Sequence, residues 1–262
     1  MKFRHPLQRS QAWALQVAAL ASLLLAWFAL RGTEAAPIEL IPGPGRVLQT
    51  GVEMVQTGFL GDVWASTARI LVAFLASAVL AVPIGIGMSS FKAIESLLAP
   101  VIEFIRYIPV PALLPLFVLA SGIGEEPKFL VLFVGTFFQL VLLIKDDVDQ
   151  VPQSQVELAQ TMGATIPQII RDVLVPASLP RMYDNLRVTL GWCWTYLVIA
   201  ELIAADRGVG HILKEAQRFN ATDRLVVCVA TLGVIGLLTD YVARWGYRAF
   251  FPYVQRNRLG ER

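Results

Sequence analysis

The chain has 262 residues, 56% of them apolar and 16% charged, with a mean hydropathy of +0.60 and a formal net charge of +2. Soluble domains carry about 25% charged and 45–50% apolar residues, so the missing charge points to lipid as the solvent. The same figures exclude a disordered chain. Two cysteines inside apolar runs (Cys193, Cys228) exclude a disulfide scaffold, and His5 and His211 alone make a metal centre unexpected.

A hydrocarbon core about 30 Å thick takes about 20 apolar residues of helix. The first such run, Ala12 to Leu30, is 19 residues without a charge and follows Lys2, Arg4 and Arg9. It exceeds the roughly 7–15 residues of a signal-peptide core and reads as a retained anchor. The stretch from Arg31 to Ser66 opens with turn residues (Pro37, Pro42-Gly43-Pro44-Gly45). Val47, Leu48, Val52 and Val55 then fall at helical spacing and predict a short surface helix. Ile70 to Met88 is a second uncharged run of 19 residues. Its stripe of Ala73, Ser77, Ala81 and Gly85 lets another backbone approach closely, either within the subunit or across a dimer seam. The next run carries Glu103, Arg106, Pro109, Pro111 and Pro115 and reads as a span interrupted near Pro109. Phe129–Ile144 and Leu225–Thr239 are uncharged, and Val188 to Ala205 is apolar except for Glu201 and its Thr and Tyr positions.

The prediction is an all-α integral membrane protein: one domain over 1–262 with six transmembrane helices, near 12–30, 67–89, 97–121, 127–145, 186–205 and 224–243. With the N-terminus inside, 13 Lys and Arg fall on the cytoplasmic side and 8 outside, leaving Arg106 unassigned. That bias places both termini in the cytoplasm. Arg256, Arg258 and Arg262 then read as an inside-positive signal that touches lipid headgroups, with no nucleic-acid role.

Between the fourth and fifth spans, Lys145 to Arg187 is too polar for lipid, yet Val156, Ala159, Met162 and Ile166 repeat at helical spacing. Ser154 and Glu157 have the spacing of a capping box, Gly163 suits a sharp turn, and a second short helix from Ile166 leads to Pro176, which resets the chain. A hairpin of two short helices buries little of itself. It needs a cytosolic partner.

These residues resemble the permease subunits of ATP-binding-cassette (ABC) importers, whose hallmark is Glu-Ala-Ala, three residues, Gly, nine residues, then Ile-x-Leu-Pro. Here stand Glu157-Leu158-Ala159, Gly163 and Val173-Leu174-Val175-Pro176, with every interval intact. Three further stretches resemble the nitrate, sulfonate, taurine and bicarbonate permease group: Arg106 to Leu116, Ala200 to Gly210 and Phe219 to Asp223. With Gly122 to Glu125 they extend the similarity over residues 60–250. The resemblance implies a type I importer permease whose segment 153–176 is a cytoplasmic coupling helix, with Glu157, Ala159, Gly163 and Pro176 meeting the ATPase subunits. It also implies a bacterial inner-membrane location, a homodimer, an outer solute-binding protein, and a small anion or organic acid as cargo moved by alternating access. ATP and Mg would belong to the partner, and the permease itself would be no enzyme and hold no cofactor. No Gly-Lys dipeptide exists to build a phosphate-binding loop in this chain.

Candidates for the translocation path are Arg106, Gln139, Trp192, Tyr196 and Glu201. Arg106 either pairs with Glu103 or offers a cation to an anion. Trp192 and Tyr196, at i and i+4, can share a face that lines a pore or packs in the core. Glu201 is either a hydrogen-bonded structural acid or part of a gate, since intramembrane acids are functional by default. A transporter driven by an ion gradient is the alternative; it calls for an internal repeat and mid-membrane ion ligands, and no repeat is evident.

Overall fold

Long uncharged runs leave the backbone no solvent partner in lipid, so their N–H and C=O groups must pair within the segment, and the chain answers with helices. A computed structural model of the chain describes residues 9–31, 42–204 and 206–253, and all regular structure among them is helical. The basic residues Lys2, Arg4, Arg256, Arg258 and Arg262, and the turn residue Pro37, lie outside the described residues.

In chain order the elements are α1 (Arg9–Arg31), α2 (Pro44–Gln56), α3 (Phe59–Ser90), α4 (Lys92–Arg106), α5 (Val110–Ser121), α6 (Glu125–Asp149), α7 (Gln153–Thr161), α8 (Ile166–Ile169), a π-helical turn (Ile170–Leu174), α9 (Val175–Ala204), α10 (Val209–Arg218) and α11 (Thr222–Phe250). The expected surface helix is α2. Among the described residues, four helical runs are long and apolar enough to cross a membrane: α3, α6, the continuous run Ile166–Ile203, and α11. α4 and α5 make a fifth if taken together, but they bend by 96° at the break before Pro109. α1 coincides with the first expected span.

α6 is the central post. The stripe on α3 packs against it: Ala73, Ser77 and Ala81 are fully buried, and a Cβ at Gly85 would sit 2.8 Å from both the Ile144 side chain and the Val141 carbonyl. The small residues therefore serve helix contact inside one chain, which resolves the choice left open by the sequence. Ser77 donates to its own helix, at Ala73 O (2.8 Å), and reaches Phe133 O on α6. Ile70, Leu132, Cys193, Trp194 and Leu197 join α3, α6 and α9 in one apolar layer. Met88, Ile102, Leu140 and Ile144 bring α4 in lower down, and Leu114, Val131 and Ala200 bring in α5. Both cysteines are buried packing residues, as expected.

The bundle thus has two distinct ends. At one lie α2, α10 and the starts of α3, α6 and α11; at the other lie the α7–α8 hairpin and the ends of α3 and α6. α9 connects them.

Candidate functional site: a hairpin at one end and a charge clasp at the other

At the hairpin end, α7 closes on Gly163, whose φ of +81° is left-handed and favours glycine. The turn is held by Gly163 N to Gln160 O (2.9 Å) and Ala164 N to Ala159 O (3.0 Å). Thr165 then begins the next helix and donates its backbone N–H to Gln168 Oε1 at 2.8 Å. That is where the capping box lies. The one expected at Ser154 and Glu157 does not form: Pro152 caps α7 without a side-chain bond, and Glu157 is exposed. Proline supplies a fixed φ and an extended start, so the hydroxyl three residues before Glu157 is not needed.

Pro176 does not reset the chain either. It sits in the first turn of α9, and helix runs without interruption from Ile166 through the π turn into the span. Pro176 brings no N–H to this continuous helix, and the wider π turn just before it, closed by Val175 N on Ile170 O, carries the chain past the missing bond; Ser178 Oγ donates to the Leu174 carbonyl at 2.6 Å. The hairpin and α9 therefore form one mechanical piece. On its outer side, Leu158, Met162 and Ile166 are 63%, 80% and 60% exposed, an apolar strip on an otherwise polar hairpin; Ala159 is half-buried.

At the opposite end, Glu201 is completely buried and belongs to a clasp built from four helices. Its carboxylate accepts from Ser66 Oγ (2.7 Å), Arg69 Nη1 (2.6 Å) and Gly210 N (2.7 Å). Ser66 in turn accepts from Val209 N at 2.9 Å, and Asp62 accepts from Gly208 N at 2.8 Å. The N–H groups of the cap residue Gly208 and of the first two residues of α10, orphans at any helix start, are thus satisfied by side chains of α3 and α9. Gly208 and Gly210 are required by proximity: a Cβ on either would come within 2.6 Å of the Glu201 side chain. Arg69 extends the clasp to α6. Its Nε and Nη2 bind Glu125 at 2.5 and 2.7 Å, Nη1 also reaches the Arg207 carbonyl at 3.0 Å, and buried Lys128 binds Glu125 at 2.8 Å. An unpaired buried carboxylate costs several kcal/mol; a guanidinium with 9% of its side chain exposed supplies the compensation here.

The other candidates disperse. Arg106 forms no pair with Glu103; it donates to Tyr107 Oη at 3.0 Å and lies over that ring, exposed at the α4–α5 break. Tyr196 is half-buried against Gly135 of α6, where an added Cβ would meet its ring at 3.0 Å, while Trp192, four residues earlier, is exposed. Gln139 is half-buried on α6. Sequence reasoning missed Ser66, Arg69, Glu125 and Lys128. A signal was present: Asp62, Ser66 and Arg69 stand at i, i+4 and i+7, one polar face of an apolar helix.

The family model described as "Binding-protein-dependent transport system inner membrane component" matches residues 73–255. A probable ABC transporter permease protein of Brucella abortus is 34% identical over 88% of this chain and 91% of its own length. The taurine transport system permease protein TauC of Escherichia coli is 33% identical over 97% and 94%. The nitrate import permease protein NrtB of Synechocystis is 26% identical over 85% and 83%. Among solved structures, an inward-facing form of the MetNI methionine ABC transporter superposes with a TM-score of 0.67, covering 75% of this chain and 98% of that one at 22% identity, a likeness of fold.

Proposed function

This chain belongs to the family of binding-protein-dependent transport system inner membrane components, and from that premise we propose that it carries a small sulfonate or related oxyanion across the bacterial inner membrane. It is a multi-pass permease subunit of an ABC importer and not itself an enzyme. The hairpin end faces the cytoplasm and the clasp end faces outward, following the Lys and Arg bias and the polarity of segment 153–176. Two copies enclose the path, two ATPase subunits grip the hairpins, and an outer solute-binding protein delivers the cargo to the clasp end.

The observation that carries this reading is the apolar strip of Leu158, Met162 and Ile166, held on a polar hairpin by the Gly163 turn. Exposed apolar side chains on a segment far too polar for lipid require a protein cover. Glu157 and Ala159 lie on the same helix and Pro176 in the continuous stem. When ATP closes the ATPase pair, the hairpins approach each other. Because helix is unbroken to Ile203, that movement reaches the outward mouth as a displacement of α9. Cargo selection is shared with the binding protein, and Gln139 and Tyr196 are the permease groups that remain for the path.

The test is reconstitution with the ATPase subunit and binding protein in proteoliposomes. ATP hydrolysis rising with a sulfonate such as taurine supports the reading. Uptake by the isolated chain under an ion gradient, without any ATPase, overturns it.

A further inference from the structure

At the edge of the clasp, and away from the hairpin, a groove of about 420 Å³ opens between α3 and the start of α6, lined by Trp64, Ala68, Val72, Phe129, Glu125 and Arg207 among others. Its polar rim and its apolar floor ask for different chemistry. At the rim, the Arg207 side chain is exposed and, among the described residues, enters no hydrogen bond or ion pair; only its carbonyl is used, by Arg69. Glu125 is 60% exposed; Arg69 and Lys128 fill Oε1, whereas Oε2 receives Arg69 Nε alone and keeps capacity for one more donor. Arg207, with its side chain unpaired, and Glu125, with one acceptor site left, thus line the same groove. That pair complements a zwitterion of an oxyanion and a primary ammonium.

Below the rim the floor continues along one face of α3 as Trp64, Ala68, Val72, Leu75 and Val79, spaced at four, four, three and four residues. Four of these side chains are exposed apolar groups. The face runs about 22 Å at 1.5 Å per residue, the length of an acyl chain and far beyond the reach of a free small solute. An exposed Trp at the polar end of such a face is the usual marker of the membrane–water interface.

We propose that this groove is a binding site for a phospholipid with a primary-amine headgroup: phosphate on Arg207, ammonium on Glu125, and one acyl chain along the Trp64–Val79 face. The site concerns lipid rather than cargo and is independent of which solute is moved.

Native mass spectrometry of the purified full-length chain, delipidated and titrated with either phosphatidylethanolamine or phosphatidylcholine, tests it. The wild type is expected to retain the ethanolamine lipid about fivefold better, because a quaternary ammonium cannot donate to Glu125. Arg207→Ala is expected to lower that retention about three- to fivefold, the scale of an exposed ion pair. Equal retention of the two lipids overturns the proposal without recourse to any variant, so misfolding of Arg207→Ala cannot rescue it. It is also overturned if free phosphoethanolamine binds as well as the lipid, or if a cysteine at position 64 cross-links to a second copy across the groove. Transport is not read in this experiment; loss of the importer reading would leave the outcome intact, and the reverse holds too.

Discussion

Glu201→Gln replaces a buried carboxylate by a side chain of the same shape and no charge, and the clasp sets the size of the effect. Three donors converge on Glu201: Ser66 Oγ, Arg69 Nη1 and Gly210 N. An amide has one oxygen for at most two of them, and its NH2 must face the third donor. Arg69 keeps Glu125, so its charge is not stranded. The loss is therefore that of charge-assisted hydrogen bonds, about 1.5–3 kcal/mol each before relaxation, and we expect about 2–4 kcal/mol in total. Glu201→Ala adds a cavity and should approach the 3–5 kcal/mol of a broken buried pair. Stability in detergent gives the global value; hydrogen exchange gives the local one. Since Gly210 N bonds Glu201 directly and Val209 N does so through Ser66, exchange at these two amides should rise about 30-fold or more if the start of α10 opens locally. Membrane insertion should be unchanged. A stability within 0.5 kcal/mol of wild type, with both amides still protected, would refute the idea that Glu201 holds α10 to the bundle.

Gly85→Ala forces a Cβ to within 2.8 Å of Ile144 and the Val141 carbonyl and should cost about 1–3 kcal/mol in a thermal shift measured in detergent. The Cβ of Gly163→Val meets no atom within 4 Å, so the main cost is the strain of φ +81°, about 1–2 kcal/mol; insertion should survive while cargo-stimulated ATP hydrolysis drops about tenfold. Met162→Asp places a charge on the exposed strip, and because the side chain is 80% exposed, stability should change by less than about 0.5 kcal/mol while co-purification of the ATPase falls at least tenfold.

Much of the architecture was legible because lipid imposes few choices. Uncharged runs announced α3, α6 and α11, and Gly163 announced the turn, since few other residues tolerate a left-handed backbone there. The hairpin was misread where a local rule had a competitor. Ser154 had the right spacing for a cap, but Pro152 had already fixed the helix start. Pro176 suggested a break, but the π turn just before it lets the helix pass through the missing N–H. The bend between α4 and α5 was foreseen at Pro109, though not its 96°. The clasp was hidden for a different reason. Glu201 stood out alone in an apolar run, whereas Arg69 and Glu125 looked like surface charges until the fold brought together residues more than 50 positions apart. The glycines at 208 and 210 had no nucleotide-loop pattern; their purpose, room for a carboxylate, exists only in three dimensions.

The central claim is that the α7–α8 hairpin is seated in a nucleotide-hydrolysing partner and drives α9 as one piece. Cysteines at positions 158 and 162, probed in the assembled complex with a short bifunctional reagent, test it most directly. The expected result is cross-linking to the ATPase subunit with a yield that changes when ATP is added. Free labelling of both positions by a bulky maleimide in the full complex, with no cross-link in any nucleotide state, would contradict it.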